Sequence, residues 1–99
     1  MKHVTFADKS LLTGDEAADL LMQYAQLLSE RGGSDVVTVR AVSQDGNGVD
    51  ASFLLNQATN LMVESASTDA SEPDNEEAVA YLRGRIDELN RPFRPPADL

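Results

Sequence analysis

His3 is the only histidine in the chain, so imidazole acid-base work or ligation would have to fall on it. It stands in Met1-Lys2-His3-Val4-Thr5-Phe6, with no serine or aspartate whose nearness in sequence supports a catalytic relay, and a surface or edge-strand position is preferred. Cysteine is absent, which excludes disulfides, thiolate metal sites and cysteine nucleophiles. Asp45, Asn47 and Asp50 have a spacing suggestive of calcium. The glycine, however, falls at the fourth position of the would-be loop instead of the sixth, and no glutamate stands at the twelfth, so turn chemistry is the better account.

Carboxylates are plentiful, but Asp15, Glu16, Asp74, Glu76 and Glu77 all stand where helices begin and are explained as caps or dipole partners. Gly32-Gly33 and Gly46-Asn47-Gly48 lack the following helix start or lysine that a phosphate loop needs. Arg83, Arg85, Arg91 and Arg94 form a basic neighbourhood beside Asp87 and Glu88, which reads as a solvated helix end more readily than as an anion site. Pro92, Pro95 and Pro96 interleaved with arginine resemble an extended ligand segment in composition only, and a plain tail is preferred. No catalytic residue, cofactor site or metal site follows from these patterns.

The elements that would position such residues are clearer. Val4 and Phe6 alternate with His3 and Thr5 as a short first strand, and Asp8 to Thr13 reads as a connection. Thr13-Gly14-Asp15-Glu16 matches a capping box. Ala17, Leu20, Leu21, Tyr24, Leu27 and Leu28 then recur at helical spacing, up to a stop at Gly32-Gly33. Val36 to Gln44 and Val49 to Leu55 alternate as a hairpin whose odd-numbered residues are the apolar set. That pattern requires odd to pair with odd. A three-residue loop Gly46-Asn47-Gly48, with Gly48 left-handed, satisfies it and puts Ala41 opposite Phe53 and Val39 opposite Leu55. Leu61 to Ser65 is expected to continue the meander as a third strand.

From Ser65 to Glu77 there is no basic residue, the composition of a solvated linker. Asp74 is the expected cap of a second helix with an apolar stripe of Ala78, Val79, Leu82, Ile86 and Leu89, ending near Asn90. Residues 91–99 are proline-blocked and expected to be a flexible tail, extended or disordered. The reading is one α+β domain over residues 1–90, β-α-β-β-β-α, with a mostly antiparallel sheet and both helices on one face.

The free sheet face would carry Val36, Thr38, Arg40, Val42, Ser52 and Leu54, with Met62 added by the last strand, more apolar than an open face needs. Val36, Arg40, Val42, Leu54 and Met62 are therefore the candidate interface of a small regulatory or interaction module that forms homodimers or meets another protein. Arg40 would then need a partner carboxylate, which a second copy would supply across a two-fold axis. Two other classes compete: a metabolite-binding domain or enzyme using carboxylates or Arg40 in a shallow pocket, and an acidic partner of a basic protein. Seventeen acidic against eight basic residues, a formal charge of -9, argue against nucleic-acid and membrane-surface binding. Without a signal-like or membrane-length apolar run, a cytoplasmic location is expected.

Overall fold

The computed structural model describes residues 1–91. Its elements are β1 (Lys2–Phe6), β2 (Lys9–Thr13), α1 (Asp15–Arg31), β3 (Asp35–Val42), β4 (Gly48–Leu55), β5 (Leu61–Ser65) and α2 (Glu76–Asn90). The fold is α+β, as the sequence predicts, with one five-stranded antiparallel sheet in the order β4-β3-β2-β1-β5. Both helices cover the face that carries the odd residues of β3 and β4. Val37, Val39, Phe53 and Leu55 are buried there with Val4, against Leu21, Tyr24 and Leu28 of α1 and Leu82 and Ile86 of α2.

Three expectations are corrected first. The segment read as a connection contains β2, paired with β1 from Lys2↔Thr13 to Phe6↔Lys9 across the two-residue turn Ala7-Asp8. Ala7 has a φ of 58°, a left-handed position that Gly or Asn usually fills, so the turn carried no sequence signal. Thr13, expected to cap α1, is buried in β2 and donates its hydroxyl to the Arg40 carbonyl at 2.8 Å; Gly14 takes the N-cap position without a side-chain bond. The meander also breaks, because β5 pairs with β1 and not with β4.

β4 and β5 thus stand at opposite edges while only Asn56 to Asn60 join them, and the Thr59 amide folds that loop back by donating to the Asn56 carbonyl at 3.1 Å. A flat sheet would hold its edge strands about 19 Å apart. The sheet therefore curls. Phe6 of β1 and Phe53 of β4 accordingly meet on its inner side as an edge-to-face pair with centroids 5.7 Å apart, in the range favoured by aromatic quadrupoles.

The hairpin keeps the expected parity but not the expected register. Ala41 pairs with Val49, Val39 with Ala51 and Val37 with Phe53, and the loop is Gln44-Asp45-Gly46. Ser43 and Asn47 close it: the Ser43 amide donates to the Asn47 carbonyl at 2.8 Å, and the Gly46 amide donates to the Ser43 carbonyl at 3.0 Å. Gly46, at a φ of 88°, holds the left-handed position that had been assigned to Gly48. Moving the loop by two residues leaves every side chain on its face, so alternation could not choose between the two registers. Asp45 chooses. Its carboxylate accepts the Asn47 amide at 3.2 Å and the Asn47 side-chain Nδ2 at 3.1 Å, which turns the chain at Asp45-Gly46. Gly46→Ala is consequently expected to lower stability by about 1 kcal/mol in urea unfolding, while Gly48→Ala carries no left-handed penalty. Equal effects of the two substitutions would refute this loop.

The last helix begins one residue later than expected. Asn75 is its N-cap, and Asp74 accepts the Glu76 amide at 3.0 Å. Residues 66–75 hold no helix or strand and are mostly exposed. The tail expected at 91–99 lies, from residue 92 onward, outside the described residues.

Candidate functional site

The outward face of the sheet carries Gly48, Asp50, Ser52 and Leu54 on β4, Val36, Thr38, Arg40 and Val42 on β3, Ser10 and Leu12 on β2, His3 and Thr5 on β1, and Met62 and Glu64 on β5. Of the residues predicted to form an interface, Val36 and Leu54 are brought together as a directly opposed pair, 58% and 52% exposed. The others separate. Val42 lies at the far end of β3, about 20 Å along the strand from Val36, and opposes Leu12. Met62, 48% exposed, opposes Thr5 at the β5 edge, beyond β2 and β1.

Between these apolar spots runs a polar ladder set by the observed register. Thr38 and Ser52 join hydroxyls at 2.7 Å, and Arg40 Nη1 meets Asp50 Oδ1 at 2.8 Å. Arg40 thus has its carboxylate within the same chain, which removes the expected need for one from a second copy. The pair is exposed on both sides, so it contributes at most about 1 kcal/mol. Asp45, the other candidate ligand, spends its carboxylate on the turn described above. His3 is half-buried on β1, opposed by Leu12 and Glu64. Among the described residues no group of three His, Asp or Glu converges to hold a metal ion.

A constellation that the sequence did not reveal joins the start of β3 to both helices. Tyr24 Oη donates to Asp35 Oδ2 at 2.6 Å, Tyr81 donates its hydroxyl to the same oxygen, and the Val36 amide donates to Asp35 Oδ1 at 2.8 Å. Arg85 Nε donates to Tyr24 Oη at 3.2 Å and Nη1 to Glu88 at 2.6 Å. Burial opposes ionisation of Asp35, yet the two phenols and the amide outweigh it and hold the carboxyl below the usual range. Burial first, and then the bond to Asp35, raise the Tyr24 phenol; Tyr81 is pushed up to about 12, chiefly by its bond to Asp35.

These shifts disfavour proton transfer near neutrality, since the carboxyl is a weakened base and the phenols are weakened acids. The cluster acts as a strut. Its stabilisation depends on pH at both extremes. The part due to Asp35 is complete above the unfolded carboxyl range of about pH 4 and is lost as pH falls through the lowered folded value. The part due to Tyr81 is complete below about pH 10, where the phenol is neutral in both states, and is lost as pH rises towards 12. Urea midpoints measured across pH should therefore fall above pH 10 (roughly the unfolded tyrosine value), less steeply in Tyr81→Phe. An unchanged alkaline slope in that variant would show that the phenol is uncoupled from folding.

Beside the strut lies a groove. β2 and β3 pair at Leu12↔Val42 alone, after which the chain leaves β2 for α1, and the β3 edge facing β2 is open from Arg40 back towards Val36. Asn75 fills its first position as a mock strand. The Arg40 amide donates to Asn75 Oδ1 at 2.7 Å, and Asn75 Nδ2 donates to the Arg40 carbonyl at 2.9 Å and to the Thr13 hydroxyl at 3.0 Å. A cleft of about 500 Å³ borders this contact, lined by Thr38, Arg40, Asp74, Glu76, Glu77 and Ala78 among others. A second, of about 350 Å³, shares Thr38, Glu77 and Ala78 and extends to Tyr81.

No helix among the described residues is long and apolar enough to cross a membrane. No family model, curated protein or solved structure matches this chain.

Proposed function

We propose that this protein is a non-catalytic interaction module that self-associates through the outward face of its sheet, with the Val36–Leu54 pair as the anchor. The observation that carries this reading is the exposure of two large apolar side chains directly opposite one another on a face that neither helix covers. Burying them against a second copy would remove apolar surface worth roughly 25 cal/mol per Å² before the costs of association. The Thr38–Ser52 and Arg40–Asp50 pairs border the anchor as a rim that is already hydrogen-bonded, so a partner need not supply their bonds. The pKa directions in the Asp35 strut support the non-catalytic part of the reading. The reading also includes an intracellular, cytoplasmic setting, which the cysteine-free composition favours.

The test is analytical ultracentrifugation at micromolar concentration of the wild type and of Val36→Lys combined with Leu54→Glu. Because the two positions oppose each other on adjacent strands, the new charges pair within one chain and the fold is preserved. The wild type is expected to sediment as a dimer and the double variant as a monomer. A monomeric wild type, or a variant dimer of unchanged affinity, would remove this face as the interface.

A further inference from the structure

The groove between β3 and α2 is a strand-shaped vacancy inside the sheet. In an antiparallel strand the amide and carbonyl of one residue point to the same side, and residues two apart repeat that direction. Arg40 directs both groups to Asn75, so Thr38 directs its own to the same side; there, among the described residues, neither its amide nor its carbonyl has a partner. Asn75 shows what this edge accepts, because its side-chain amide reproduces the donor and acceptor of one peptide unit. Thr38 and the carbonyl of Val36, the next groove-facing groups towards the N-terminus of β3, could take a real one, the Val36 amide being already bonded to Asp35 Oδ1. The two clefts run continuously along them, walled on the other side by Glu77, Ala78 and Tyr81 of α2.

Charge identifies what fits. Asp74, Glu76 and Glu77 are exposed at the mouth of the groove, and none has a cationic partner among the described residues, whereas the Arg40 side chain is held by Asp50. An extended segment bearing lysine or arginine at alternate positions would pair its main chain with Thr38 and set its cations against these carboxylates, with Ala78 leaving room for its small apolar residues. We infer that this groove binds an extended cationic polypeptide by strand addition to β3. Val36 lines this groove as well as anchoring the sheet face, so the inference is separated from self-association by the peptide itself, whose binding is read directly.

Fluorescence anisotropy with a fluorescein-labelled Lys-Val-Lys-Val-Lys-Val-Lys peptide tests it at low salt, on the wild type, Glu76→Gln combined with Glu77→Gln, and Thr38→Pro. Two series of the same sequence, N-methylated on one or the other set of alternate amides so that only one of them blocks the pairing edge, separate strand pairing from charge attraction. Saturable binding is expected. It should weaken about 5-fold in the double glutamine variant, whose exposed positions leave the fold intact. It should weaken about 10-fold or more for the N-methyl series that blocks the pairing edge. Thr38→Pro, which deletes the groove-facing amide at an unpaired edge where proline is tolerated, should abolish it. Amide chemical-shift changes on titration should concentrate at Val36 to Thr38 and Glu77 to Tyr81, a readout that does not depend on any variant folding. Equal affinity for both methylated series and the parent peptide would reduce the interaction to unspecific charge attraction and overturn the inference. Shift changes confined elsewhere would also overturn it.

Discussion

Leu82→Ala should lower the stability of the domain by about 3 kcal/mol, read as a drop in the urea midpoint. Leu82 is fully buried, and with Ile86 it makes up the buried surface of α2, so the substitution opens a cavity where the second helix meets α1 and the sheet. Against a total stability of about 5–15 kcal/mol for a domain of this kind, that is a large share. Leu54→Ala provides the contrast. The same chemical deletion at a position 52% exposed removes little buried surface and should change stability by less than about 1 kcal/mol. Similar effects at the two positions would mean that α2 does not pack on the core as described. A reduced denaturant slope in Leu82→Ala would indicate that α2 undocks before the remainder unfolds, since the slope follows the surface exposed in the transition.

The second large effect is expected at Asn75. Asn75→Ala leaves the Arg40 amide without its partner and the Arg40 carbonyl with the Thr13 hydroxyl alone, at the lip of an open cleft where water reaches the freed groups. A loss of about 1 kcal/mol follows, the net worth of hydrogen bonds whose groups can be rehydrated. Thr13→Val removes the third member of the network, and the two substitutions combined should cost less than the sum of their separate effects, because they share the Arg40 carbonyl and bond to each other. Additive losses, or a loss below about 0.5 kcal/mol for Asn75→Ala, would show that the side-chain amide is not holding the β3 edge.

Features that depend on local periodicity and local punctuation are legible in the chain alone. The stripe from Ala17 to Leu28 and the stop at Gly32, with its left-handed φ of 70°, define α1. The stripe from Ala78 to Leu89 defines α2. Alternation assigned the odd residues of β3 and β4 to the core because a strand's side-chain period is two, whatever its partner. Leu61 to Ser65 was legible for the same reason.

Features that depend on which elements meet emerge only once the chain is folded. Hairpin register escaped because a two-residue displacement preserves both faces, and with it went the Arg40–Asp50 pair, which exists only in the observed alignment. β2 escaped because its strand character comes from pairing with β1 through a turn that lacks glycine and asparagine. Curling of the sheet let β5 join β1, although sequence order alone favours a meander. The strut of Tyr24, Asp35, Tyr81 and Arg85, and the bond of Asn75 to Arg40, join residues from different elements, most of them far apart in the chain. No local pattern encodes such contacts. They arise only after the apolar stripes have packed the helices on the sheet and left a carboxylate, two phenols and an open strand edge within hydrogen-bonding reach.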